Sequence, residues 1–304
     1  RNLLWASISL INMKKVLLFL GMLTFLCSYL TAQVSIVKDI DSRVGVNNNA
    51  KYDRILSEQF LYINNFCTIG NTTFFVANNQ LGRELWKTDG TPEGTLLVKD
   101  IYPGYMGSNI KNLVELNGVL YFISRANLYT SDGTNAGTKE LVKINPDPDK
   151  SSGVSSLCVF NNELYFSANN GSQGIELWKY DPVNQCADLV KDIVPGASGS
   201  NPKDFIEFKG ELYFAAYENG VSQLWKTDGT TSGTVALTNL TERYLSSPFS
   251  NFTIVGETMF FSGYKSEHGP ELWKTDGTQA GTMMVKDIFE GLIGSSPVAL
   301  TEYN

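Results

Sequence analysis

Apolar residues along this chain come in short runs broken by turn residues, without the three-to-four spacing of an amphipathic helix. Residues 113–122 read Leu-Val-Glu-Leu, then Asn117-Gly118, then Leu120-Tyr121-Phe122. Asn-Gly between two apolar runs is a strong hairpin signal. The same hairpin recurs with turns at Gly70-Asn71, Asn161-Asn162, Lys209-Gly210 and Gly256-Glu257. A third run of the type Glu-Leu-Trp-Lys-Thr follows each hairpin. An Asp-Gly-Thr turn then leads to a fourth, as in Leu96-Leu97-Val98-Lys99. Each unit therefore predicts four strands, a to d, joined by tight turns, with the longest link running from d to the next a.

The eighteen residues from Glu84 to Ile101 return from Glu271 to Ile288 with few changes, and worn copies lie between. The aromatic anchors Trp86, Tyr129, Trp178, Trp225 and Trp273 are separated by 43, 49, 47 and 48 residues. Four short antiparallel strands per ~47 residues is the pattern of a β-propeller blade. Neighbouring apolar residues such as Leu-Tyr-Phe point to opposite faces of a strand, so both faces of each sheet must be covered. Stacked blades do this, and an anchor Trp between blades would bury roughly 150–250 Å². A β-solenoid or a string of separate hairpins is the alternative. A solenoid has a shorter period and lacks the hairpin turns.

The fold expected is all-β: a β-propeller of ~47-residue four-stranded blades in an incomplete ring, with about five full blades plus partial ones. Full sets run near 66–101, 113–144, 155–193, 203–240 and 251–288. An orphan d strand, Val37–Ile40, precedes them, and an orphan a strand, Val298–Tyr303, follows. This uneven count suggests truncation at the C-terminus of a ring of six or more blades. Four segments are expected: 1–12 as upstream, non-native sequence; 13–32 as a signal peptide; 33–65 as the orphan outer strand and a long polar loop; and 66–304 as the repeats.

The signal peptide reading rests on Met13-Lys14-Lys15, the apolar run Val16–Leu30 and the small Ala32 before Gln33. The run is shorter than the roughly 20 residues that span a bilayer. A membrane anchor over Leu3–Leu30 is the alternative. After cleavage no membrane span remains, and the net charge moves from −7 to −10, three cations and no acid being lost. An acidic surface without a basic block argues against nucleic acid. Three cysteines would remain, Cys67, Cys158 and Cys186, an odd number that makes a poor disulfide framework. Cys67 and Cys158 read as small buried hydrophobes.

The phrase Glu-Leu-Trp-Lys-Thr-Asp-Gly-Thr at 84–91 and 271–278 resembles the bacterial ELWxxDGT repeat family, over roughly residues 34–303. The resemblance implies a secreted or outer-surface protein of a Gram-negative bacterium, in a family many of whose members end in a type IX secretion sorting domain. It implies no defined enzymatic activity. The third copy departs from the pattern at Asp181-Pro182, so its turn should differ in shape.

The recurrent Asp89, Asp132, Asp228 and Asp276 lack the alternating ligands of a calcium loop, and read as turn-forming residues. No metal and no cofactor is expected. The aspartates of Val-Lys-Asp-Ile (Asp39, Asp100, Asp192, Asp287) are expected to cap the Pro-Gly turns that follow them. The single histidine, His268, reads as a surface loop residue. Asn145–Lys150 reads as a solvated loop. The b–c turns and d–a links should emerge on one side of the sheets. They carry Asn78, Asn79, Arg83, Asn169, Asn170, Tyr217, Glu218 and Tyr264, amides and tyrosines suited to an extracellular glycan or protein partner. The functional expectation is a non-catalytic binding or scaffold module for glycans or peptides. A glycosidase-like propeller enzyme with carboxylates at the central channel is the alternative.

Overall fold

The repeat units fold as five four-stranded antiparallel sheets, the blades of a β-propeller, in a computed structural model. The structure describes residues 64–240 and 249–302, all within one compact unit, Val37–Asn304. The expected upstream segment, signal peptide, Val37–Ile40 strand and polar loop, and Asp39, lie outside the described residues. The first blade comprises β1 (Asn64–Ile69), β2 (Thr72–Asn79), β3 (Gly82–Thr88) and β4 (Leu96–Lys99). The second comprises β5 (Lys111–Leu116), β6 (Val119–Ser124), β7 (Asn127–Ser131) and β8 (Lys139–Val142). The third comprises β9 (Ser155–Phe160), β10 (Glu163–Asn169), β11 (Ile175–Asp181) and β12 (Cys186–Lys191). The fourth comprises β13 (Lys203–Phe208), β14 (Glu211–Glu218), β15 (Val221–Thr227) and β16 (Val235–Ala236). The fifth comprises β17 (Ser250–Val255), β18 (Thr258–Lys265), β19 (Gly269–Thr275) and β20 (Met283–Lys286). Strands pair in sequence order within each sheet, and the a strands of successive blades lie against one another.

The core lies between the sheets. Phe74, Val76, Leu85 and Val98 of the first blade pack on Leu120 and Phe122 of the second. Tyr121 and Leu128 of the second meet Leu157, Phe166 and Tyr180 of the third. Phe160, Tyr165 and Val190 of the third meet Phe214 and Trp225 of the fourth. Phe208, Tyr213 and Leu237 of the fourth meet Phe261 and Trp273 of the fifth. The anchors of the second to fifth blades thus sit at the joint with the preceding blade. Trp225 is 4% exposed and Trp273 7%, while Trp178 and Tyr129 are half-buried against the corresponding joints. Trp86 is buried with Phe75 and Ala77 on the outward face of the first blade.

The Asp-Gly-Thr turn is a closed hydrogen-bond circuit. Asp89 Oδ1 accepts from Thr91 N at 2.9 Å and Thr91 Oγ1 at 2.7 Å. Thr91 Oγ1 in turn accepts Gly94 N at 2.9 Å, and Thr95 Oγ1 donates to Thr91 O at 2.7 Å. Asp132, Asp228 and Asp276 repeat the bonds to Thr134, Thr230 and Thr278. These hydrogen bonds hold the four aspartates below the usual carboxylate range. The turn glycine does two things. Gly229 has φ 94°, which favours glycine, and a Cβ there would collide with the Tyr165 hydroxyl of the preceding blade. In the third blade, which has Pro182 at this place, Asp181 Oδ1 accepts Val183 N at 2.7 Å and closes a different turn.

Lysine ammonium groups tie blade to blade. Lys99 Nζ donates to Thr138 O at 2.6 Å, and Lys191 Nζ to Thr234 O at 2.7 Å. In the first and third blades the Lys after Val is therefore a clamp on the next blade's turn, whereas Lys143 of the second donates to Pro148 O of its own link at 2.7 Å.

Two expectations are corrected. Residues 298–302 of the proposed a strand form no strand, because a ladder needs a hairpin partner and none follows them in the described residues; Tyr303 lies outside the described residues. Cys67 and Cys158 are half-buried at joints, not fully buried, and Cys186 is exposed. Burial raises the Cys67 and Cys158 thiols, Cys158 to about 12.

Candidate functional site

The side of the blades where b turns into c is built as a rigid rim. In the first, second, third and fifth blades the d–a link folds back and docks on the b–c turn of the same blade. Ser108 N donates to Arg83 O at 3.0 Å, Asn201 N to Ile175 O at 2.9 Å, and Ser296 N to Pro270 O at 2.9 Å. The approach is too close for side chains: a Cβ on Gly82 would lie 2.6 Å from Gly107 N. Gly174 with Gly199, and Gly269 with Gly294, repeat the contact.

A buried glutamate holds the link in place. Glu176 is fully buried; its Oε2 accepts Ile193 N at 3.0 Å and Ser200 Oγ at 2.5 Å, and its Oε1 accepts Val194 N at 3.1 Å and Ser200 N at 2.9 Å. Glu271 makes the same four bonds to Ile288, Ser295, Phe289 and Ser295. Glu84 Oε2 accepts Ile101 N at 3.0 Å and the Ser108 hydroxyl, but its Oε1 has no partner among the described residues. In the fourth blade Gln223 stands in, accepting Thr238 Oγ1 at 2.7 Å and Leu240 N at 3.0 Å. Burial pushes Glu84 up to about 7 against the pull of its hydrogen bonds, and it raises Glu176. Burial also pushes Glu271 upward, but there the four hydrogen bonds win and its carboxyl is held low.

The glutamate does the work expected of the Val-Lys-Asp-Ile aspartate. Asp192 Oδ2 instead accepts Gln173 Nε2 at 2.9 Å, Asp287 Oδ2 meets His268 Nδ1 at 2.6 Å, and Asp100 Oδ1 is without a partner among the described residues. The reason is reach: the glutamate side chain on strand c extends under the link and meets several amides at once. His268 lies in the turn between β18 and β19, where the sequence places a loop residue, and it is paired with Asp287, its side chain 28% exposed.

The candidate residues share this rim but belong to four blades. Asn78 pairs across the hairpin with Arg83, and Asn79 with Gly82. Asn79 Oδ1 accepts Leu81 N at 2.8 Å, and Asn169 Oδ1 accepts Gly171 N at 2.7 Å. Asn170 Oδ1 accepts Ser172 N at 3.0 Å and its Nδ2 donates to Gln173 Oε1 at 2.7 Å. These three amides therefore build turns. Tyr217, Glu218 and Tyr264 are half-buried at the ends of β14 and β18. In the longer second link Asn145 is buried, and its Oδ1 accepts Asp147 N at 3.0 Å. No group of three or more His, Cys, Asp or Glu side chains is placed to hold a metal ion among the described residues.

The rim also presents residues that the motif reading passed over. Between Gly104 and Gly107 the first link displays Tyr105, 84% exposed, and Met106, 68% exposed. The Arg125 guanidinium lies 3.4 Å from the ring centroid of Tyr102 in the same link. The available signal was the fixed frame of this link, Pro-Gly-Tyr-Met-Gly-Ser against Pro-Gly-Ala-Ser-Gly-Ser at 195–200, in which the middle pair varies.

No family model matches the chain, and no curated protein matches it. Solved structures do. The crystal structure of a nidogen/laminin complex is similar at 10% identity and TM-score 0.41, over 70% of this chain and 74% of that one. The tricorn protease is similar at 13% identity and TM-score 0.38, over 71% of this chain and 25% of that one. A puromycin-hydrolyzing peptidase of Mycobacterium tuberculosis is similar at 14% identity and TM-score 0.43, over 67% of this chain and 34% of that one. Among the described residues no helix is long and apolar enough to cross a membrane.

Proposed function

We propose that this chain is a secreted or cell-surface member of the ELWxxDGT repeat family, and a non-catalytic binding module whose b–c rim takes a glycan or peptide. The observation that carries this reading is Tyr105. Its link is locked to the neighbouring turn through Ser108 and Arg83, yet the ring itself is 84% exposed. A rigid aromatic offered to solvent loses little conformational freedom on binding and stacks on sugar rings or peptide side chains. Arg83, Asn78 and the Arg125–Tyr102 pair supply polar contacts on the same rim.

A glycan array and an extracellular-protein pull-down with the full chain test the reading. Binding that is lost in Tyr105→Ala and reduced in Asn78→Ala supports it. Binding that is unaffected by both places the contact elsewhere, and the absence of any ligand leaves a structural role.

A further inference from the structure

Nearly all the variation in the repeat period lies in the b–c hairpin. From each anchor to the b-strand phenylalanine of the next blade the chain takes 36 or 37 residues: Trp86 to Phe122, Tyr129 to Phe166, Trp178 to Phe214 and Trp225 to Phe261. The rest of the period is the hairpin itself, which begins and ends at a paired phenylalanine and anchor. The two are 11 or 12 residues apart in four blades, but Phe122 and Tyr129 of the second are only 7 apart. Against the first and fourth blades, two residues are missing from each strand, about 6–7 Å of hairpin height. The rim is therefore notched at the second blade, and the short 43-residue spacing is the trace of that notch in the sequence.

The floor of the notch is the two-residue turn Arg125-Ala126, closed by the pair Ser124 and Asn127. Both turn residues have positive φ, 46° and 59°. The same turn in the fourth blade is Asn219-Gly220, at 53° and 76°, residues that take this conformation readily. Arginine and alanine are strained there, and since Asn-Gly makes the same turn without strain, the arginine is kept for its side chain. Its guanidinium rests on the Tyr102 ring, yet none of its N–H groups meets an acceptor among the described residues. Tyr129 adds a hydroxyl where the other four anchors carry an indole. Burial and Glu140 raise that hydroxyl while Arg125 pulls it down, so the guanidinium lies within electrostatic reach of it. Tyr105 stands three residues from Tyr102 in the same link, no further than about 11 Å along the chain, its ring open to solvent.

We infer that the notch over the second blade binds a terminal sugar acid, its carboxylate on Arg125 and its ring on Tyr105. This rests on the rim reading above and narrows it. An unpaired guanidinium presents a planar fork of donors that fits a carboxylate through two parallel hydrogen bonds, and the Tyr102 ring beneath fixes its direction. The chain as a whole carries a formal charge of −7, so a polyanion is repelled and a single acidic group is what one cation can take. A peptide finds less here: β6 and β7 are each paired on both sides, leaving no strand edge for a backbone to join. A pyranose ring needs no such edge and stacks on an exposed phenol.

The test titrates the full chain with three probes: a disaccharide ending in glucuronic acid, its glucose-ended counterpart, and a capped dipeptide carrying one glutamate. The glucuronic probe is expected to bind about tenfold or more tighter than the neutral one. Arg125→Asn is expected to abolish that preference and to keep or raise the melting temperature, because asparagine suits a positive φ. Arg125→Lys keeps the charge but loses the fork, and is expected to retain only part of the preference. Equal affinity for the two sugars, lost in Tyr105→Ala, overturns the inference while the rim reading stands. A glutamyl peptide bound more tightly than the glucuronic probe overturns it too, because the carboxylate is then a protein's. So does a preference lost only together with melting temperature, which assigns Arg125 to the fold. Failure of all three probes at millimolar concentration overturns the inference; the rim reading falls only when the glycan array and the pull-down are empty as well.

Discussion

The Glu176 carboxylate receives the Ser200 hydroxyl at 2.5 Å and, with three backbone amides, ties strand c of the third blade to the link that starts the fourth. Truncating it leaves several buried donors unpaired, each costing about 1–3 kcal/mol. Glu176→Ala is expected to lower stability by about 3 kcal/mol in urea denaturation. Glu176→Gln should cost about 1 kcal/mol, because Gln223 already serves at this position in the fourth blade. Equal losses in the two variants would refute the acceptor role.

Glu84 gives the fold a pH dependence of opposite sign to that of the turn aspartates. Its folded pKa, about 7, lies above the ordinary value, so the folded state binds its proton more tightly than the unfolded chain. Its contribution is fully present below the ordinary carboxylate value and is lost as pH rises through about 7. Melting temperature should therefore fall across this window in the parent and fall less in Glu84→Gln. Asp89, Asp132, Asp228 and Asp276 are depressed, so their contribution holds above the ordinary value and disappears as acid protonates them. A Glu84→Gln profile parallel to the parent's would rule out this assignment.

Trp225 lies between the third and fourth blades with 4% of its surface exposed. Trp225→Ala should destabilise by about 3–5 kcal/mol in chemical denaturation. A change under about 1 kcal/mol would mean that the joint does not depend on the indole.

Gly229 and Tyr165 should be coupled. Gly229→Ala suffers both from its positive φ and from the Tyr165 hydroxyl. Tyr165→Phe removes only the second penalty. A double-mutant cycle is expected to show about 0.5–1 kcal/mol of rescue, and strict additivity would contradict the contact.

Tyr105→Ser should leave stability within about 0.5 kcal/mol of the parent, since the ring touches little of the fold. The same substitution is expected to remove ligand capture, which would separate binding from folding in one variant.

Much of the blade was legible in the residues. Asn117-Gly118 and Lys209-Gly210 mark their turns because a two-residue hairpin needs positive φ, and both pairs have it, at 54° and 79° and at 52° and 75°. Asp89 read as a turn former because its carboxylate reaches the amide two residues on. The capping glutamate was misassigned to Asp100, Asp192 and Asp287 because its targets lie 17 to 24 residues away, beyond any local rule. The candidate amides were chosen by type and position, but Asn79, Asn169 and Asn170 turned out to spend their side chains on their own turns. Tyr105 and Met106 went unnoticed because exposure depends on how the link lies over its neighbour.

Strand number, hairpin turns and the repeat were determined by the sequence itself, because they follow from the order of apolar and turn residues within a few positions of each other. Only the tertiary structure decided which carboxylate holds each link and which aromatics face solvent. Those outcomes depend on the blade that stacks alongside, and a residue's own neighbours in the chain carry no record of what is packed against it.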